Sequence, residues 1–223
     1  MFYTKKIRSI RPSDVVLEIG PGSTPHHRAN EFLELNLESE TERIAQRAGV
    51  VDSPDYRNRQ VHYYDGEKFP FKDKQFDYVI CSHVIEHVQN PELFLSELFR
   101  VGGGRGYIEY PLITCEYLYN FSVHTQFIKY DQQNKTLRYL PKNDTNLSEF
   151  LPVSNLLRKM LELGWGDLCS SNKELFFEGF EFDAPFAISK AESICSLIPL
   201  DVIVKKKSFF RRGVTYFLDR FNF

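Results

Sequence analysis

Four apolar residues in five, Val15, Val16, Leu17 and Ile19, run directly into Gly20-Pro21-Gly22 in the stretch "SDVVLEIGPGS". A strand buried on both faces needs such a run, and two glycines at its carboxyl end make a tight turn. Further strand-like pieces follow: "EFLEL" at Glu31 to Leu35, "RQVHYYD" ending at Asp65, "KQFDYVICS" and "GYIEYP". Between the last two, "NPELFLSELFRV" places Leu93, Phe94, Leu98 and Phe99 at helical spacing behind an Asn-Pro start. Strands alternating with helices or long connections argue for a parallel sheet covered on both faces. Ser13 to Pro111 therefore reads as a doubly wound α/β unit.

Beyond Pro111 the texture changes. "HTQFIKYDQQNKTLRYLP" looks like two strands around a polar turn, and "SNLLRKMLELG" carries Leu156, Leu157, Met160 and Leu161 on a helix stopped by Gly164. "KELFFEGFEFDAPFAIS" returns to strand-like alternation that can complete the sheet. Three regions result: residues 1–111, a lobe at 112–180, and a closing strand with a basic, aromatic tail at 181–223. With 223 residues, 42% hydrophobic and 26% charged, the chain suits one generous core with a small appended lobe.

The formal charge of -2 gives no global drive toward nucleic acid, and no basic stripe crosses the α/β unit. Cys81, Cys115, Cys169 and Cys195 are widely spaced with no C-x-x-C pair, and "MFYTKKIRSIRPSD" lacks the apolar core of a secretory leader. A reducing cytoplasm is the expectation. No run approaches the roughly 20 apolar residues of a spanning helix.

Gly20 and Gly22 allow backbone N–H groups to approach a ligand closely. The continuation "STPHH" lacks the third glycine of a dinucleotide fingerprint, which argues against a nicotinamide site. Glu18 before the turn, Glu34 after the second strand and Asp65 after the third form an ordered acidic series at the carboxyl edges of successive strands, where open α/β sheets bind ligands. His83, Glu86 and His87 spell H-x-x-E-H, as in one class of zinc peptidase. That chemistry needs a long helix and a third ligand; here a strand precedes the motif, Asn90-Pro91 starts a new helix after it, and no third ligand is evident. No metal is expected.

In these combined motifs, "LEIGPG", "FPFKDKQFDYVICSHVIEHVQNPELFLSELFRV" and "GGGRGYIEYP", the chain resembles the class I S-adenosylmethionine-dependent methyltransferases, in their type 11-like branch. The resemblance covers about half of the chain. It implies a Rossmann-like, mostly parallel seven-stranded sheet with a small insertion after the core, and S-adenosylmethionine as cofactor. Residues 1–111 become the cofactor-binding half and 112–180 the acceptor-side lobe. Gly20 and Gly22 match glycines under the amino-acid and ribose portions of the cofactor, and Glu18 matches the acid of that loop. Glu34 matches the acid that accepts the ribose hydroxyls, with Asn36 as the alternative. Asp65 and Gly66 match the pair beside the adenine; Ser82 and His83 face the sulfonium. Pro25 and the short span from Gly22 to Glu34 leave the first crossover helix stunted or missing.

His83 is either a general base for a hydroxyl acceptor or a residue that only lines the site. Glu86 and His87 are expected to tie down the turn or cap the next helix. The lobe's Tyr117, Tyr119, Phe121, His124, Phe127, Tyr130 and Tyr139 suit a sugar or planar ring, or a small core beneath the hairpin. His124 and Tyr110 are the acceptor-side candidates. The branch points to oxygen methylation of a sugar or sugar acid in surface-polysaccharide biosynthesis. The alternatives are a non-catalytic binding or scaffold module and the zinc hydrolase. From Lys205 the tail carries six cations against Asp219 and six aromatics from Phe209 to Phe223. That composition suits contact with the inner face of a membrane, or packing on the core or a second subunit.

Overall fold

All four residues of the first strand, β1 (Val16–Ile19), are buried, as its apolar run requires. The computed structural model describes residues 1–37, 39–46, 54–160, 169 and 171–198. Around β1 the chain lays down β2 (Glu31–Leu35), α1 (Glu40–Gln46), β3 (Gln60–Tyr64), β4 (Tyr78–Ser82), α2 (Pro91–Gly102) and β5 (Gly106–Pro111). It continues through α3 (Ile113–Tyr119), β6 (Gln126–Asp131), β7 (Thr136–Pro141), α4 (Leu151–Met160), β8 (Phe177–Phe182) and β9 (Ala187–Lys190). The strand order is β3-β2-β1-β4-β5-β8, parallel from β3 to β5, with β8 antiparallel at the edge.

Among the described residues this main sheet has six strands rather than the expected seven. The alternating stretch after Lys173 supplies β8 to the main sheet, but then sends β9 to pair parallel with β7. Strands β6 and β7 form an antiparallel hairpin and, with β9, a second three-stranded sheet. Its polar turn is held by Asp131 Oδ1, which accepts from the backbone N–H groups of Gln133 and Asn134, each at 3.1 Å.

No helix forms between β1 and β2. With Pro25 and two glycines in the span, the connection is a series of turns. Asn30 fastens it to β1: its backbone N–H donates to the Val16 carbonyl at 2.7 Å, and its Oδ1 accepts from Val16 N at 2.8 Å.

Helix α2 begins where Asn90 Oδ1 accepts from Leu93 N at 3.0 Å, with Pro91 at its first position, and it ends at Gly103 in the left-handed region. Asn90, and not Glu86 or His87, is therefore its cap. Phe94, Leu95, Leu98 and Val101 form its buried stripe, while Leu93 is turned outward. Burying each such side chain contributes roughly 1.5–3 kcal/mol. A Cβ on Gly102 would stand 2.4 Å from Val79 Cγ2, so the helix seats directly on β4.

The lobe helix runs from Leu151 to Met160, with Leu157 half-buried and Leu156 exposed. Its expected stop at Gly164, and the basic aromatic tail from Lys205, lie outside the described residues. Among the described residues no helix is long and apolar enough to cross a membrane.

Candidate active site

Strands β1, β2, β3 and β4 all end on one cavity of about 1180 Å³. Ligand pockets commonly measure roughly 300–1,000 Å³, so there is room for a nucleoside-sized molecule and a second reactant. Glu18, Gly20, Gly22, Glu34, Asp65, Gly66, Ser82, His83 and His124 all line it. Asn36, the alternative to Glu34, and Tyr110 do not.

The floor depends on two left-handed glycines, Gly20 at φ +56° and Gly22 at φ +60°. A Cβ on Gly20 would meet Val84 Cγ2 at 2.6 Å, whereas one on Gly22 would project into open space. Glycine therefore leaves a shallow cradle at this turn, where backbone groups are reachable by a ligand.

Glu18 is 2% exposed, and its Oε2 accepts from His26 N at 2.7 Å. Burial pushes its carboxyl up to about 8, partly opposed by that hydrogen bond. Glu34, at the end of β2, accepts from the Tyr56 hydroxyl at 2.9 Å. Asp65 is exposed after β3, its Oδ1 accepting from Glu67 N at 3.1 Å. The three acids thus grade from buried to exposed along the cleft.

At the end of β4, His83 holds φ +57°, a strained position for a side chain of its size. Its Nε2 is 3.0 Å from Glu109 Oε1, and its Nδ1 is 3.3 Å from Glu86 Oε1. Burial lowers the imidazole's proton affinity, but the two carboxylates more than reverse this and push its pKa up to about 9. Both ring nitrogens are engaged by carboxylates, an arrangement that suits a residue lining the site better than a base.

Glu109, which sequence reasoning missed, organises this end. Beyond His83 it accepts from Phe2 N at 2.6 Å, Tyr3 N at 2.9 Å, the Tyr107 hydroxyl at 2.5 Å and the Ser82 hydroxyl at 3.2 Å. Burial opposes its ionisation, but His83 and these donors hold it down at about 2. The one available signal was a lone acid in the apolar strand "GYIEYP". Phe2 and Phe177, stacked at 3.9 Å, add an aromatic wall edge-on to His83. Neither they nor Tyr56 carried a motif.

The turn after His83 is a single 3-10 turn, Ile85–His87, docked on the start of β6 by a hydrogen bond from Thr125 N to the Glu86 carbonyl at 2.7 Å. This brings His124 beside His87, with ring centroids 4.6 Å apart. His124 Nδ1 is 2.6 Å from Glu116 Oε1, and the other oxygen of Glu116 pairs with Lys142. Of the lobe's aromatics, Tyr119 and Phe121 line the cleft beside His124, whereas Phe127 is core. Tyr110 is also core: its hydroxyl donates to Glu178 at 2.7 Å and accepts from Tyr130 N at 2.8 Å. The choice of Tyr110 as an acceptor-side residue is thereby corrected, because both capacities of its hydroxyl are spent inside the fold.

Residues 17–109, from β1 through β5, match the family model described as a methyltransferase domain. That segment is thereby similar to the type 11 methyltransferase domains, a family whose cofactor is S-adenosylmethionine. An uncharacterized protein of Methanocaldococcus jannaschii is 28% identical over 105 residues, 45% of this chain and 47% of its own length. The chain thus spans about half the length of the curated relative it matches. Among solved structures, an S-adenosylmethionine-dependent methyltransferase of Thermotoga maritima is 24% identical over 49% of each chain, with a TM-score of 0.34. Another, from Mesorhizobium loti, is 14% identical over 52% of this chain and 53% of that one, with a TM-score of 0.34.

The residues present fit that cofactor. The glycine cradle gives backbone access, Glu18 is a buried carboxyl group suited to an ammonium, and Glu34 is an acceptor at a strand end where a hydroxylated ligand can be met.

Proposed function

We propose that the chain transfers a methyl group from S-adenosylmethionine to an oxygen of a small-molecule or glycan-like acceptor, with a sugar or sugar acid as the preferred class. The reading is carried by one observation: the acidic series, the glycine turn and His83 share one cleft, whose far end is lined by Tyr119, Phe121 and His124 from the lobe. Gly20 and Gly22 admit the amino-acid portion, Glu18 faces its ammonium, Glu34 takes the ribose hydroxyls, and Asp65 with Gly66 flank the adenine. Bound there, the cofactor supplies an electrophilic methyl group on a sulfonium.

The protein's contribution is chiefly orientation, worth up to roughly 7–11 kcal/mol in well-aligned systems. His83, pinned between Glu86 and Glu109, fixes the wall beside the reacting end and leaves proton removal to another group or to solvent. Aromatic faces with polar edges at the lobe suit a sugar ring. A role in surface-polysaccharide assembly rests on the sequence resemblance. So does a cytoplasmic setting, where the tail from Lys205 would meet the inner membrane face beside a lipid-linked glycan.

Calorimetric titration with S-adenosylhomocysteine, with oxidised NAD as the comparison and Asp65→Ala as the variant, tests the cofactor. Saturable binding of the first ligand alone, weakened in the variant, is expected. Turnover is then read as S-adenosylhomocysteine release over a panel of nucleotide sugars and uronic acids. Absence of binding would sink the reading, and binding without turnover on any hydroxylated acceptor would favour a non-catalytic module.

A further inference from the structure

The carboxylate of Glu86 is 0% exposed, yet neither oxygen has a hydrogen-bond partner among the described residues. The nearest ring nitrogens, His83 Nδ1 at 3.3 Å and His87 Nε2 at 3.9 Å, are close enough for ion-pair attraction but make no hydrogen bond. The His83 imidazolium balances the buried charge, but the carboxylate's hydrogen-bonding capacity stays unfilled, a cost of about 1–3 kcal/mol that a further partner would relieve. His87 Nδ1, in the adjacent residue, is likewise buried without a hydrogen bond among the described residues.

Glu86, His87 and His124 each offer one ligand atom, and these atoms lie within 4.8 Å of one another. Tetrahedral ligands at about 2.0–2.2 Å from zinc stand roughly 3.3–3.6 Å apart, so a pair at the 4.8 Å limit would have to close by about 1.2–1.5 Å, shared between two side chains, to meet on one ion. The outer contacts are those of a ligating histidine. His124 gives Nδ1 to Glu116, leaving Nε2 for a metal, and Lys142 neutralises the second Glu116 oxygen.

We propose that Glu86, His87 and His124 bind a divalent transition-metal ion of the zinc class at the acceptor end of the cleft. Two imidazoles and one carboxylate are a donor set that zinc accepts with coordination positions left open. Both histidines line the cleft, so those positions face the space beyond His83, where an acceptor oxygen can be bound and polarised. This is not the peptidase arrangement that H-x-x-E-H suggests. His83 belongs to Glu109, and the third ligand comes from the lobe, which is why no third ligand was evident in the motif. The use of the ion for an acceptor rests on the methyl-transfer reading; the binding of the ion does not.

The full chain, stripped with a chelator and desalted, is titrated with Co²⁺ while visible absorption is followed, and metal content is measured after Zn²⁺ loading. About one equivalent per chain and visible bands of a low-coordinate nitrogen–oxygen site are expected. His124→Ala and His87→Ala should each weaken binding at least about 10-fold, and Glu116→Gln should weaken it roughly 10–100-fold without removing a ligand. His62→Ala, on the far-off β3, should change nothing. S-adenosylhomocysteine titration of the same samples reports separately on the cofactor site and on folding. Lack of saturable Co²⁺ or Zn²⁺ binding by wild type, or full binding by folded His87→Ala and His124→Ala variants, would overturn the proposal. If those variants fail to fold, the wild-type titration and Glu116→Gln decide it.

Discussion

Replacing Glu109 with glutamine keeps its shape and removes only its charge and half of its accepting capacity. The wild-type carboxylate receives Phe2 N, Ser82 and His83 on one oxygen, and Tyr3 N and Tyr107 on the other. A glutamine amide accepts through its single oxygen and donates through its nitrogen. Whichever way it turns, a backbone N–H faces an NH₂ group, and the His83 imidazolium loses a buried counter-charge. Breaking one partner of a buried pair costs about 3–5 kcal/mol, a large part of the roughly 5–15 kcal/mol that holds such a domain together. At this chain length that is a fall in Tm of roughly 6–20 °C.

The pH dependence gives an independent magnitude. A carboxyl held at about 2 rather than 4.5 contributes on the order of 3 kcal/mol above pH 4.5, and that contribution disappears as pH falls toward 2. Urea denaturation of wild type and Glu109→Gln should therefore show a gap of about 3–5 kcal/mol at pH 7 that narrows steadily below pH 4.5. A gap under about 1 kcal/mol, or one that does not narrow over that window, would refute the assignment of Glu109 as an ionised anchor.

Gly20→Ala places a Cβ 2.6 Å from Val84 Cγ2 at φ +56°; calorimetry should show S-adenosylhomocysteine affinity reduced at least about 10-fold, and unchanged affinity would remove the glycine cradle from the site. In the free protein Glu18 is protonated below about pH 8, because burial, with Glu34 adding and Arg59 opposing, disfavours its anion; a ligand ammonium reverses that preference. Binding should then release a proton between pH 6 and 8, visible as a buffer-dependent heat, with affinity rising over the same range; pH-independent affinity would mean that Glu18 does not meet the ammonium.

The sheet from β1 to β5 was legible because its strands are buried on both faces, which writes them as uninterrupted apolar runs between glycines and acids. For the same reason the cofactor-side candidates could be placed, since strand ends in such a sheet share one edge. The number of strands was not legible. "FEGFEF" and "FAIS" alternate alike, and only their docking decides that one extends the main sheet while the other joins the hairpin. Glu109 read as one residue of a strand, because its role depends on donors from the chain's first residues. The neighbourhood of His87 and His124 depends on β6 meeting the 3-10 turn through Thr125, a contact between residues distant in sequence that no local pattern encodes.

The lobe cannot be treated as an interchangeable cassette. The chain leaves the main sheet at β5, builds the β6–β7 hairpin, returns to the main sheet as β8, and only then sends β9 back to pair with β7. A chimera that exchanges only residues 112–176 would separate β7 from the strand that closes its sheet. Transplanting an acceptor preference from a relative therefore means carrying Ala187–Lys190 along with the hairpin, while changes confined to the lobe's loops and side chains leave that interlock intact.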